Sequence, residues 1–138
     1  SARKYLKGSR IRDMNAFLRR CIAAAPDFSE TTVAYLGQIY GTHFRTILDL
    51  ARQDAALAEP MNAQGDILAQ AVYAARHEMA LTLKDIVLHR TGIATLGNPG
   101  EDILQRVARA VADDLGWDEK RVQQEVEQTN VMLQIPVD

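Results

Sequence analysis

This chain is short of several things, and each shortage excludes something. A single cysteine, Cys21, rules out an internal disulfide and argues against a thiolate zinc site. Glycine and proline together number only 12, against 20 alanines and 14 leucines, a balance that leans toward helix. No apolar run approaches the ~18 to 20 residues that a membrane-spanning helix needs. The opening residues lack the basic, apolar and small-residue order of a signal peptide, so none is expected. What is present is ordinary: 138 residues, 47% hydrophobic and 25% charged, enough for one domain with a real core. The chain starts at Ser1 rather than Met, as expected of a piece of something longer or of a tag remnant.

Catalytic fingerprints are missing as well. His77-Glu78 invites comparison with H-E-x-x-H, but the position of the second histidine holds Leu81. Gly92, Gly97 and Gly100 do not form G-x-G-x-x-G, and no strand precedes them. No serine lies in G-x-S-x-G. His43, His77 and His89 have no metal-ligand spacing, and Cys21 falls on an apolar stripe as a small core residue. No catalytic, cofactor-binding or metal-binding residue is assigned.

The charge is lopsided. Residues 1–20 carry seven positive charges and one negative, whereas the remaining residues carry nine positive and 17 negative. Arg12, Arg19 and Arg20 fall opposite the apolar stripe of the first helix, which makes them the candidate contact face for an acidic protein surface or anionic lipid. Their plainer reading is a solvated helix face. The acidic body is a poor match to a dedicated nucleic-acid binder, so no nucleic acid is expected as a partner.

Apolar spacing is helical nearly throughout, and no segment alternates as a half-buried strand would. Met14, Phe17, Leu18, Cys21, Ile22 and Ala25 form one stripe, closed by Pro26. Ser29 caps a second helix that Gly41 ends, and Thr42 caps a third with Phe44, Ile47, Leu48 and Ala51 inward. Ser29 to Arg52 thus has a helix-turn-helix outline, although only His43, Arg45 and Thr46 are polar early in its second helix. Pro60, Asn62 and Gly65 mark a loop before a fourth helix bearing Ile67, Leu68, Ala71, Val72 and Ala75. Thr82 and Asp85 form a capping box for a helix through about Arg90. Asn98, Pro99 and Glu101 supply cap, first-turn proline and acid for the next helix, whose stripe is Ile103, Val107, Ala108, Val111 and Leu115. Gly116 stops it, and Asp118 caps the last, with Val122, Val126, Thr129 and Leu133 inward. The expectation is an all-α fold: a compact bundle of six or seven helices with short connections, in a single domain over 1–138. Residues 1–8 read as a basic lead-in and 131–138 as a tail.

Three segments share an ordered likeness. Val72 to Thr91 closely resembles the "YAVR-x-EMA-x-TL-x-D-x-L-x-RRT" stretch in the C-terminal helical domain of FAD-dependent (aerobic) glycerol-3-phosphate dehydrogenases. Tyr35-Leu36 followed by Tyr40-Gly41 resembles that domain's "L-x-x-x-YG" helix end. Leu115-Gly116-Trp117-Asp118, with Arg121 and Glu125, resembles its "LGWD-x-x-R-x-x-x-E" close. The likeness runs in order from about Leu6 to Thr129, and departs at His89, where the family usually has a second arginine.

This resemblance implies an accessory domain of a larger flavoenzyme, inert alone. The parent oxidises glycerol 3-phosphate to dihydroxyacetone phosphate with FAD and passes electrons to membrane quinone. Its flavin fingerprint belongs to an N-terminal flavin domain, the implied partner of this one. A second copy of the chain and an anionic membrane surface are further implied partners. The implied location is cytoplasmic, peripheral at the inner face of the membrane in the parent. The alternative is a freestanding all-α interaction module, binding nucleic acid through Arg10, Arg12, Arg19 and Arg20.

Within the family-like segment, Glu78, Thr82, Asp85 and Arg90 sit among Ala75, Met79, Leu83, Ile86 and Val87. Charges drawn inward there persist only when paired. The expectation is a structural polar clasp: Thr82 with Asp85 caps a helix, and Glu78 or Asp85 holds Arg90 or Arg76.

Overall fold

The computed structural model describes residues 8–134, with side chains from Arg12 onward. The expected lead-in and the side chain of Arg10 therefore lie outside the described residues, Gly8 of the lead-in excepted for its backbone. The described residues form helices and turns, with one isolated β-bridge between Pro60 and Ile67. The fold is all-α. Chain contacts divide it into two units, Ser1–Phe44 and Arg45–Asp138.

The first unit is a helical hairpin. Helix α1 spans Gly8–Ala24 and α2 spans Glu30–Tyr40. Cys21 and Ala25 are buried along the α1 stripe, while Arg12, Arg19 and Arg20 are exposed. The Ser29 hydroxyl accepts the Thr32 amide at 3.2 Å, filling one of the donors that a helix start leaves open. Val33 and Leu36 face inward from α2. Between them and the α2 end lies Gly37, where a Cβ would stand 3.0 Å from Leu18 and 3.2 Å from Cys21. A bare backbone is what lets the two helices approach this closely. Gly41 ends α2 at φ +58°, a conformation that glycine adopts without penalty. Thr42, expected to cap the third helix, instead lies inside a 3₁₀ turn over Gly41–His43 that leads into it.

Helix α3 spans Phe44–Gln53 and buries Ile47, Leu48 and Ala51. The second unit continues through a 3₁₀ turn at Ala55–Ala58 and a loop to α4, Ala69–His77. Ile67 and Leu68, expected on that helix, precede it, although both are buried. Helix α5 is a single turn, Leu83–Asp85, that runs straight into a π-helical turn over Ile86–Arg90. The Thr91 hydroxyl donates to the Ile86 carbonyl five residues back at 2.9 Å. Helices α6 (Glu101–Leu115) and α7 (Glu119–Gln134) complete the unit. Full burial of Leu83, Ile86, Leu104, Val107 and Val111 gives it an aliphatic core, worth ~1.5 to 3 kcal/mol per large side chain.

Two boundaries differ from expectation. Helix α6 starts at Glu101 behind Gly100, not behind Asn98. Asn98 Oδ1 accepts the Gly100 amide at 2.9 Å, which turns the chain there, and Gly100 then takes φ +101°, outside the helical region. At the other end α7 includes residues 131–134, expected as tail. Residues 135–138 lie outside the described residues. Gly116 and Asp118 do act as expected. Gly116 sits at φ +69°, the amide of Trp117 returns to the Ala112 carbonyl at 2.8 Å, and Asp118 Oδ1 accepts the Arg121 amide at 2.8 Å.

Candidate functional site

Two of the three family-like segments, residues 72–91 and 115–125, meet in the second unit, and a hydrogen bond joins them. Helix α5 is too short to persist by itself, so its open amides must be satisfied from outside. Thr82 Oγ1 accepts the Asp85 amide at 3.2 Å. Glu125, buried on α7, accepts the Leu83 amide through Oε1 at 2.9 Å. Its other oxygen accepts from Arg121 Nε at 2.9 Å, and the Arg121 guanidinium lies 5.4 Å from the centre of the Trp117 ring. Trp117, Arg121 and Glu125 thus form one stack that holds α7 against the start of α5.

A second network lies 26 residues across the chain and was not anticipated. Asp66 is 0% exposed. Its Oδ1 accepts from Gln70 Nε2 at 2.7 Å and from the Gly92 amide at 3.0 Å, while Oδ2 accepts from Asn62 Nδ2 at 2.8 Å. Asn62 Oδ1 in turn accepts the amides of Gln64, Gly65 and Asp66. Gln70 Oε1 accepts the Ile67 amide at 2.7 Å, just before α4. These residues tie the loop before α4 to the loop after the π turn. The available signal was an aspartate at the head of a strongly apolar run, Gly65-Asp66-Ile67-Leu68, where only a partnered carboxylate can stay.

The five clasp residues separate into three arrangements. Asp85 takes Arg90, Nε to Oδ2 at 3.3 Å, and His89, Nδ1 to Oδ1 at 3.2 Å. Arg76 turns away to Asp114 on α6 at 2.9 Å. Glu78 holds neither arginine by a direct bond: its Oε1 is sheltered from solvent with no hydrogen-bond partner among the described residues. The next residue, Met79, was expected among apolar neighbours but is 79% exposed, with φ +56°. The reason is the way α4 ends. The amides of Glu78 and Ala80 both return to the Ala74 carbonyl, and this curl swings Met79 outward.

Burial pushes the Glu78 carboxyl above its ordinary value, opposed by nearby Arg90 and reinforced by Asp85. A folded value above the unfolded one means that the folded state holds the proton more tightly. Stability is therefore fully present below pH ~4.5 and falls as pH rises through the raised folded value. Glu78→Gln removes that loss. The variant should melt higher than the parent chain at pH 7, and the gap should close by pH 4. Thermal melts at both values check this, and a variant that melts lower at pH 7 would contradict it.

His43, His77 and His89 are all exposed, and the described residues contain no cluster of His, Cys, Asp and Glu able to hold a metal ion. No described helix is long and apolar enough to cross a membrane. Arg12, Arg19 and Arg20 are exposed on α1 as the sequence suggests, with Arg20 lying 6.0 Å from the Phe17 ring centre.

These features define an all-helical domain whose distinctive polar residues cap and join helices. Residues 2–122 match the family described as the C-terminal domain of alpha-glycerophosphate oxidase, and the chain belongs to that family. It is 35% identical over 96 residues to glycerol-3-phosphate dehydrogenase 2 of Mycobacterium tuberculosis strain H37Rv, covering 68% of this chain and 16% of the relative. It is 32% identical over 98 residues to glycerol-3-phosphate dehydrogenase of Synechocystis, covering 70% of this chain and 18% of that protein. The chain thus spans less than a fifth of the length of these curated relatives. No solved structure matches it.

Proposed function

We propose that this chain is the accessory helical domain of a glycerol-3-phosphate dehydrogenase, non-catalytic alone, which packs against the flavin domain of its parent. In that parent, FAD and glycerol 3-phosphate are bound elsewhere in the polypeptide. One observation carries the reading: polar side chains from two of the family-like segments are used internally. Trp117, Arg121 and Glu125 brace α5, Thr82 caps it, and Asp85 is engaged with Arg90 and His89. Residues spent in this way support a scaffold rather than a reaction. The complete gene tests the parentage, since it should encode a dinucleotide fingerprint upstream. The purified 138-residue chain should show no flavin absorbance and no dehydrogenase activity with glycerol 3-phosphate. Stoichiometric FAD retained through gel filtration would overturn the reading.

The exposed arginines of α1 supply a contact for an anionic surface, either on the flavin domain or on membrane headgroups. Reversal of Arg12, Arg19 and Arg20 to Glu should weaken that association while leaving the helical circular dichroism unchanged. The parent association should also weaken with salt, because exposed charges are screened beyond ~8 to 10 Å. Pull-down of the flavin domain and vesicle flotation at two salt concentrations separate the two surfaces. Association insensitive to both reversal and salt would leave only a solvated helix face.

A further inference from the structure

The short link between α4 and α5 carries features that nothing inside this domain uses. Ala80 is fully buried, while its two neighbours point outward: Met79 is 79% exposed and Leu81 62% exposed. Two large apolar side chains stand in water on either side of an anchored alanine. Met79 holds its place at φ +56°, a left-handed conformation that is costly for a residue with a side chain and that glycine would fill without strain. Beside them, Glu78 presents a carboxylate oxygen that is shielded from solvent yet has no hydrogen-bond donor among the described residues. The charges of Arg90, Asp85 and His77 act on Glu78 through space, and Asp85 is engaged with Arg90 and His89. Strain, exposed apolar surface and an unmet acceptor coincide within four residues. An apolar depression on a protein surface would cover Met79 and Leu81 together.

We propose that the link Glu78–Leu81 is an apolar docking contact of this domain on the flavin domain of the parent chain. Met79 and Leu81 enter an apolar depression there. This rests on the parentage argued above. The occupant follows from chain length: more than four-fifths of each curated relative lies outside the aligned region. A tethered partner is present at high effective concentration, so even a small contact can stay closed.

Hydroxyl-radical footprinting read by mass spectrometry tests this on the full-length protein and on the 138-residue chain. Leu96, 83% exposed in the loop before α6, is the internal reference. Met79 and Leu81 should be oxidised at least five-fold more slowly in the full-length protein, with Leu96 unchanged. Equal oxidation of Met79 and Leu81 in both proteins overturns the proposal. So does protection of Leu96 in their place, which would move the docking face elsewhere. Protection that grows with concentration in the 138-residue chain alone would assign the link to a second copy and also overturn it. In the full-length protein, Leu81→Asp should abolish the protection of Met79, and retained protection would refute the proposal. Absence of a flavin domain from the complete gene would instead defeat the parentage, so the two failures are distinguishable.

Discussion

Replacement of Asp66 by alanine should destabilise the domain by about 3 to 5 kcal/mol, because three neutral donors lose their buried acceptor at once. The carboxylate accepts from Asn62, Gln70 and the Gly92 amide and has no exposed surface. Without it, three donors face a cavity, and each unmet donor costs about 1 to 3 kcal/mol. Part of this is recovered as side chains relax. Asp66→Asn keeps the shape but turns an amide group toward one of the donors, so it should cost less, about 1 to 3 kcal/mol. Since whole domains are stable by only about 5 to 15 kcal/mol, the alanine variant should lie near its unfolding threshold. Urea titration at neutral pH gives both values. A midpoint for Asp66→Ala close to that of the parent chain would show that the network contributes nothing.

Glu125→Ala should cost about 2 to 4 kcal/mol, because it strands the Leu83 amide and deprives Arg121 of its partner. Arg121→Ala should cost about 1 kcal/mol, since its side chain is 46% exposed and water can replace its contacts. The asymmetry is the test. If the two single variants lose the same amount, the ion pair carries the stability and the bond to Leu83 does not. A double-mutant cycle should also show loss smaller than the sum, as expected for groups that share one interaction.

Most helix ends were legible because their hydrogen bonds are local. Ser29 to Thr32, Thr82 to Asp85 and Asp118 to Arg121 each join residues three apart, and residue type alone marks the acceptor. Asn98 misled for the same reason. It is an equally good acceptor, but it bonds two residues on and makes a turn, which displaces the helix start to Glu101. The long-range bonds were not legible. Asp66 and Glu125 both end on backbone amides, at Gly92 and Leu83, and an amide leaves no mark in the sequence. Charge predicts attraction but not direction, so the sequence leaves open whether Glu78 or Asp85 holds Arg90 or Arg76, and in the structure Asp85 takes Arg90. Arg76 sits on the same segment yet turns to Asp114. Met79 was placed inward by its apolar character, whereas the backbone curl that exposes it depends on amides returning to Ala74.

The bond from the Leu83 amide to Glu125 spans 42 residues, and this has a consequence for the order of folding. Helix α5 has three residues and cannot nucleate alone, so its first turn waits for α7 to arrive. Bringing α7 there closes a loop of 42 residues, which carries its own entropy cost. The single turn at Leu83 therefore forms late in folding and is lost early when α7 detaches. Its amide proton is a natural clock for that step: exchange at Leu83 reports the opening of α7, whereas the interior amides of α6 report unfolding of the whole unit.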